Sequence, residues 1–182
     1  MKLLDTIFRV PGIPIGGKTI HRSAVRAIVV RENELLLIHS AKNGDYKFPG
    51  GGVEKKESHP AALARELNEE CGAQLARFGP AFGKIIEYDK PVEQDFSVFR
   101  MVSHYYWCQI ETLLHSQVLD KYEAELGFQP VWVKPEQAIE INQQIMKANM
   151  AMGDNRAAIP WLQREIFVLL ILQKIIYQQN SF

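Results

Sequence analysis

Hydrophobic residues near the start of the chain cluster into two short runs, and these runs predict two β-strands. Residues 24–31 and 35–40 are rich in valine, isoleucine and leucine, which favour strands. Glu32 and Asn33 lie between the runs, and a polar pair at this spacing is typical of a tight turn. The pattern therefore predicts two strands joined by a tight turn.

The middle of the chain predicts further strands. Residues 74–88 and 96–110 carry many β-branched and aromatic side chains and flank a polar loop at 89–95, which indicates a long hairpin. Residues 129–134 form another short apolar run, and Pro135 then marks the first position of a helix. Strands mixed with helices indicate an α/β domain.

A helix is predicted between the two groups of strands. Ser58 is a suitable N-cap, and Pro60 falls in the first turn, where its missing N–H costs nothing. Residues 61–70 are strong helix formers, and Gly72 ends the helix. Three apolar residues spaced four apart form a stripe that can pack against a core: Leu63, Leu67 and Cys71.

The C-terminal part of the chain predicts a second long helix, at residues 159–178, after a loop around 153–155. Residues 166–177 are strongly apolar, but Gln173 and Lys174 interrupt them. The uninterrupted part is far shorter than the ~20 residues that span a bilayer, so a buried helix fits better. Its apolar face would either close a homodimer interface or pack on its own domain.

Three glutamates lie close together on the first predicted helix. Glu66, Glu69 and Glu70 stand at positions i, i+3 and i+4, so their carboxylates project from one face. Like charges at this spacing destabilise a helix by roughly 0.2–0.5 kcal/mol per pair. A solvated acidic face is the simpler alternative, but the grouping is better explained by a bound divalent cation that prefers oxygen ligands.

Three consecutive glycines precede this helix. Gly50, Gly51 and Gly52 carry no β-carbon, so their backbone can approach an ion or a phosphate closely. Lys47 lies just before them and could contact phosphate, although most exposed lysines have no specific role. A strand, a glycine loop and an acidic helix follow one another in that order.

These residues resemble a known family motif, the Nudix box. Its pattern is Gly, five residues, Glu, seven residues, Arg-Glu, an apolar residue, any residue, Glu-Glu, any residue, Gly and a final apolar residue. Residues 51–73 fill every fixed position, from Gly51 through Glu57, Arg65 and Gly72, with a small Ala73 at the end. The chance of such a match in a chain of this length is on the order of one in a million or less.

The resemblance implies a fold. A Nudix-like α/β/α sandwich with a mixed sheet between helices is expected over residues 23–150. Residues 1–22 would form an added arm or strand, and residues 159–178 an added C-terminal helix. We therefore expect residues 1–182 to form a single domain.

The resemblance also implies roles for the box residues. Glu66, Glu69 and Glu70 would bind Mg²⁺, with the Gly50 carbonyl as a further ligand and Mn²⁺ as a substitute ion. Glu57 and Arg65 would form a supporting ion pair that orients the helix, since a bidentate arginine fixes a carboxylate better than lysine does.

Members of the family take the general base either from the box or from a distal loop. The distal loop here covers residues 111–128 and contains Asp120, Glu123 and Glu125. Glu125 lies close to the strand predicted at 129–134, and we favour it as an additional metal ligand or base. The alternative is a solvated carboxylate with no role.

The implied activity is hydrolysis of a diphosphate linkage in a nucleoside diphosphate derivative, such as a nucleotide sugar, ADP-ribose or a dinucleoside polyphosphate. One alternative is a pyrophosphohydrolase of nucleoside triphosphates. Another, from a different class, is a nucleotide-sensing module without turnover. Four aromatic residues could stack on a base but more often form core: Tyr88, Tyr105, Tyr106 and Trp107.

Composition agrees with a small soluble enzyme. The 182 residues include 21 basic and 21 acidic side chains, so the formal net charge is zero and broad nucleic-acid binding is not expected. Cys71 and Cys108 are the only cysteines, too few for a disulfide framework, which favours a cytoplasmic setting. The N-terminus shows no apolar targeting segment, and no membrane partner is expected.

Overall fold

A computed structural model of the chain describes residues 1–114, 116–151 and 159–179. The loop predicted around 153–155 lies outside these residues. The described elements follow one another in this order: β1 (Leu3–Phe8), β2 (Thr19–Ile28), β3 (Val30–Arg31), β4 (Glu34–Ser40), β5 (Tyr46–Lys47), α1 (His59–Cys71), β6 (Ala73–Asp89), β7 (Val98–Leu114), α2 (Lys121–Leu126), β8 (Phe128–Val133), α3 (Pro135–Ala151) and α4 (Leu162–Gln179).

The strands form two four-stranded sheets. The first has the order β1-β6-β7-β2 and is mixed, because β6 and β7 are antiparallel while β1 and β2 run parallel to their neighbours. The second is antiparallel, with β4 paired to β3, β5 and β8. The long β6–β7 hairpin is the one that the sequence predicted.

The sheets lie between helices, because alternate residues of the strands enter two separate hydrophobic clusters. In β4, Leu35 and Leu37 join a cluster with α3 and α4, whereas Leu36 and Ile38 join a cluster with α1. This alternation follows from the two-residue repeat of a strand. The predicted α/β/α sandwich with a mixed sheet is confirmed.

The tight turn at Glu32 and Asn33 is confirmed, since Arg31 pairs directly with Glu34 across it. The strand predicted at 24–31, however, is two strands. It breaks at Val29 because β2 pairs with β7 in the first sheet, whereas β3 pairs with β4 in the second.

Helix α1 has the predicted ends. The Ser58 side chain accepts a hydrogen bond from the Ala61 N–H, and Gly72 adopts the left-handed conformation (φ 62°) that ends many helices. The apolar stripe of Leu63, Leu67 and Cys71 is buried, each residue no more than 1% exposed. Glu66 and Glu70 lie next to this stripe around the helix and are also buried, so packing of the stripe fixes their position.

The distal loop expected at 111–128 is only partly a loop. Its first residues extend β7, and it contains α2, which begins with a capping box. In this box the Asp120 side chain accepts the Glu123 N–H, and the Glu123 side chain accepts the Asp120 N–H. The prediction of a loop here was wrong, because this local Asp-x-x-Glu signal was overlooked.

The first strands and the last described helix pack into the fold. Within residues 1–22, β1 pairs in parallel with β6, and β2 already begins at Thr19. Helix α4 packs on its own chain, with Val168, Leu169 and Leu172 fully buried. This arrangement favours the second of the two roles considered for its apolar face. Among the described helices, none has the length and apolar character needed to cross a membrane.

Candidate active site

The glycine loop is fixed against strand β2. The Val25 N–H donates to the Gly51 carbonyl and the Ala27 N–H to the Pro49 carbonyl, each at 2.9 Å. Gly50 has a φ of 130°, a conformation that strongly favours glycine. A β-carbon at Gly51 would overlap the Glu66 carboxylate, so any side chain here would displace that carboxylate from its present position.

Three carboxylates converge beside this loop. Glu66 and Glu70 come from α1 and are 7% and 1% exposed, and Glu123 comes from α2. One carboxylate oxygen of each lies within 4.8 Å of the others. Burial raises the pKa of Glu66, and the Glu70 charge adds to the rise. Such a buried acidic group is stabilised by a cation.

Glu123, and not Glu125, lies in this cluster. Glu125 is exposed on α2. Glu123 occupies the third position of the same short helix, and the capping box with Asp120 orients its carboxylate. The choice of Glu125 from the distal loop is therefore corrected to Glu123.

Glu69 lies outside the cluster of three. Consecutive residues of an α-helix are rotated by about 100° around its axis, so the side chains of Glu69 and Glu70 point in different directions. The Glu69 carboxylate accepts a hydrogen bond from Arg65 at 3.1 Å and its side chain is 37% exposed. Of the three glutamates placed on one face, the structure brings Glu66 and Glu70 together.

Arg65 joins the helix to the glycine loop. Its guanidinium donates to both Glu57 oxygens, at 3.0 and 3.1 Å, and holds the pKa of Glu57 below its usual range. The same group donates to the Gly52 carbonyl at 3.0 Å and to Glu66 at 2.7 Å. The structure thus forms the ion pair expected from the sequence and extends it to the loop and the cluster.

Lys47 contacts the cluster. Its ammonium group lies 2.6 Å from a Glu70 oxygen and 4.2 Å from the centre of the Phe128 ring. The Gly50 N–H donates to the other Glu70 oxygen at 2.6 Å. In this arrangement Lys47 is paired with a glutamate, and the phosphate contact considered from the sequence stays a prediction.

Arg26 was missed by the sequence reasoning. It lies in β2, is 9% exposed, and its guanidinium donates a hydrogen bond to the Gly50 carbonyl. The available signal was a charged residue at an interior position of an otherwise apolar run. Such a residue is rarely buried unless it has a specific partner.

The site fits a divalent metal ion of the magnesium type. Its donors are carboxylate oxygens from Glu66, Glu70 and Glu123, together with the Gly50 carbonyl, and Mg²⁺ prefers oxygen ligands. Each of the three loop carbonyls accepts a hydrogen bond, Gly50 from Arg26, Gly51 from Val25 and Gly52 from Arg65. Lys47 and Arg26 already place positive charge against these atoms, which agrees with a site that attracts cations.

A cavity of about 610 Å³ extends from the cluster. Part of its wall is one face of the first sheet, where Arg22, Ala24 and Arg26 of β2 lie beside Phe99 and Met101 of β7. Other parts come from α2 and from the start of α4, through Tyr122, Trp161 and Arg164. The added C-terminal helix therefore contributes directly to the site.

Comparison with known proteins agrees with this geometry. The NUDIX domain model matches residues 20–162, most of the chain, including the glycine loop and all three clustered glutamates. The chain belongs to the Nudix family. The recognition made from the box is confirmed.

Individual Nudix relatives are distant. A MutT-like protein of Streptomyces ambofaciens is 40% identical over 57 residues, which cover 31% of this chain and 37% of that protein. Human diphosphoinositol polyphosphate phosphohydrolase 3-alpha is 28% identical over 116 residues, 62% of each chain. The chain thus spans between about one third and two thirds of the length of these relatives.

A solved structure supports the Nudix fold. The NUDIX hydrolase from Nitrosomonas europaea superposes with a TM-score of 0.52 at 17% identity, over 72% of this chain and 90% of that one. At this identity the similarity concerns the fold alone.

Proposed function

We propose that this Nudix protein is a Mg²⁺-dependent hydrolase that cleaves the diphosphate linkage of a nucleoside diphosphate derivative, with Mn²⁺ as a substitute ion. The observation that carries the proposal is the convergence of Glu66, Glu70 and Glu123 beside the Gly50 carbonyl, at the end of a cavity large enough for a nucleotide. A protein that only senses nucleotides has no need for a buried acidic cluster of this kind.

In the proposed reaction the glutamates hold the ion. When bound there, a divalent ion neutralises negative charge on the diphosphate oxygens and makes water a stronger nucleophile at neutral pH. Arg65 keeps Glu66 in place through the 2.7 Å contact and ties the helix to the glycine loop through the Gly52 carbonyl. The ion pair with Glu57 in turn fixes the orientation of the Arg65 guanidinium.

Glu123 takes the role that the sequence assigned to Glu125, as an additional ligand or as the base that accepts a proton from water. Burial raises the pKa of Glu123, and the neighbouring Glu70 charge contributes to the rise. A carboxylate with a raised pKa is a better proton acceptor near neutral pH than an ordinary one.

Lys47 and Arg26 provide positive charge at the junction between the ion and the diphosphate. Both contact proposed ligand groups, Lys47 through Glu70 and Arg26 through Gly50. We propose that they turn to phosphate oxygens when the ion takes over these contacts.

The proposal is tested by incubating the purified protein with nucleotide sugars, ADP-ribose, dinucleoside polyphosphates, nucleoside triphosphates and diphosphoinositol phosphates. Each is tested with Mg²⁺, with Mn²⁺ and with chelator. We expect metal-dependent release of phosphorylated products from at least one nucleoside diphosphate derivative. Glu70→Gln should abolish it, whereas Glu140→Gln, at an exposed position of α3, should not. A folded protein without turnover of any member would favour the nucleotide-sensing alternative.

The proposal also covers the cellular compartment and the oligomeric state. Cys71 and Cys108 are both buried and unpaired, which agrees with a reducing, cytoplasmic setting. The packing of α4 on its own chain favours a monomer over the homodimer considered from the sequence, and light scattering of the purified protein tests this.

A further inference from the structure

Two aromatic side chains line the cavity beside the acidic cluster. Tyr122 lies on α2, next to Glu123, and is 55% exposed although it is large and mostly apolar. Trp161 immediately precedes α4, and the C-terminal addition thus brings it to the same cavity. Nothing in the proposed metal chemistry requires either ring.

Asp45 holds one of the two rings, that of Trp161. The Trp161 indole N–H donates to an Asp45 oxygen at 2.5 Å, and Asp45 is 1% exposed. A hydrogen bond to a buried carboxylate holds the indole in one orientation. Tyr122 and Trp161 line the same cavity, together with Glu66, Glu70 and Glu123.

The charge of the cavity indicates what kind of group lies beyond the diphosphate. Six basic and six acidic side chains line it, so the wall as a whole carries no surplus positive charge. Two of the basic residues, Arg164 and Arg9, are both paired with the buried Glu87. A second polyanionic group would need a surplus of free cations, whereas an uncharged planar group would not.

We propose that Tyr122 and Trp161 bind the base of a nucleoside diphosphate derivative by stacking, so that this enzyme selects nucleotides over other diphosphates. The inference rests on the proposed function, because the diphosphate must lie at the acidic cluster for the base to reach these rings. Aromatic stacking accepts every base, because each presents a flat face. The site therefore selects for a base rather than for one particular base.

The test separates the base from the diphosphate. Isothermal titration calorimetry with Mg²⁺ compares three ligands that resist hydrolysis: α,β-methylene-ADP, α,β-methylene-UDP and the base-free methylenediphosphonate. The protein and its Trp161→Leu and Tyr122→Leu variants are each titrated. In the unchanged protein both nucleotides should bind more tightly than methylenediphosphonate. Each leucine variant should weaken nucleotide binding about tenfold, with little effect on methylenediphosphonate.

Two further variants distinguish the loss of stacking from a disruption of the fold. Trp161→Phe and Tyr122→Phe retain a flat ring and should restore most of the nucleotide affinity. Nucleotide binding should also quench tryptophan fluorescence, and Trp161→Phe should remove this signal although Trp107 and Trp132 remain. Trp132→Phe is the matched control, since Trp132 contacts Arg31 and does not line the cavity.

The possible failures are distinct. If neither the nucleotides nor methylenediphosphonate bind with Mg²⁺, the proposed function itself is overturned. If the nucleotides bind no more tightly than methylenediphosphonate, or if the leucine variants weaken the binding of all three ligands equally, only the base site is overturned. Tighter binding of inositol hexakisphosphate than of either nucleotide would overturn it in favour of a polyphosphate substrate.

Discussion

The Arg26 guanidinium donates a hydrogen bond to the Gly50 carbonyl oxygen, the same atom that the Nudix resemblance makes a metal ligand. A divalent ion bound to this oxygen would lie beside the positive charge of Arg26, and the two cations would repel each other. Arg26 is nearly buried and its Nε atom has no hydrogen-bond partner, so this side chain has an unused donor when it turns away. Arg26 and the ion therefore compete for one carbonyl.

This competition predicts that Arg26→Met binds Mn²⁺ more tightly than the unchanged protein. The variant loses a positive charge beside the cluster and frees the carbonyl, which should strengthen binding on the order of tenfold. Calorimetric titration with Mn²⁺ measures the difference. Arg22→Met, at an exposed position of the same strand, should have a smaller effect. Equal or weaker Mn²⁺ binding by the Arg26 variant would show that the arginine supports the ion instead.

A second prediction concerns the correction from Glu125 to Glu123. Glu123→Gln should weaken Mn²⁺ binding by about tenfold or more, because it removes one charged ligand. Glutamine still completes a capping box, so α2 should remain folded. Glu125→Gln is the matched control on the same helix and should bind Mn²⁺ normally. Weaker Mn²⁺ binding by Glu125→Gln, with normal binding by Glu123→Gln, would instead make Glu125 the metal ligand.

Sequence reasoning succeeded at this site where the signal is local. The ends of α1 and the Glu57–Arg65 pair depend on residues within one short segment, and the box contains all of them. Sequence reasoning was incomplete where two hydrogen-bonded residues come from distant segments of the chain. Arg26 reaches Gly50 across 24 positions, and Trp161 reaches Asp45 across 116. No pattern along the chain specifies such contacts, because they depend on how the sheets pack.

The division of β2 from β3 has a similar cause. Residues 24–31 are continuous in hydrophobicity, and hydrophobicity alone predicts one strand. The break at Val29 arises because β2 and β3 pair with strands of different sheets, and the choice of partner is a tertiary property. The β6–β7 hairpin was predictable because its two strands are joined by a short polar loop.

A third prediction concerns the buried ion network that attaches α4 to the first sheet. Arg164, on α4, is 1% exposed and lies 2.6 Å from Glu87 of β6, which also pairs with Arg9. Glu87→Gln leaves Arg164 with less compensating charge, and the free energy of unfolding should fall by about 3–5 kcal/mol at pH 7. Glu34→Gln, which breaks an exposed pair with Arg31, should lower it by less than about 1 kcal/mol.

The same pair predicts a pH dependence. Burial opposes ionisation of Glu87, but Arg164 and Arg9 outweigh it and hold its pKa below the usual value. A carboxyl with a depressed pKa contributes stability above its unfolded pKa, and this contribution is lost as the pH falls through the folded pKa. The difference between the protein and Glu87→Gln should therefore narrow below about pH 4. Urea unfolding at several pH values measures it, and a difference independent of pH would contradict the ion-pair explanation.

A last prediction concerns His104, which lies on β7 beside the His59 ring, with the ring centres 4.6 Å apart. Burial lowers the pKa of His104 to about 4, and the charges of His59 and Lys84 add to the effect. The unfolded chain then binds a proton at higher pH than the folded protein does. The contribution of His104 to the free energy of unfolding is complete above about pH 6.5 and is lost as the pH falls towards 4.

His104→Gln should remove this loss, so that between pH 7 and pH 4.5 the variant loses less free energy of unfolding than the unchanged protein. Other groups that titrate in this window cancel in the comparison. An NMR titration of the His104 ring with a midpoint near 6.5 would contradict the prediction, because the folded and unfolded states would then bind the proton alike.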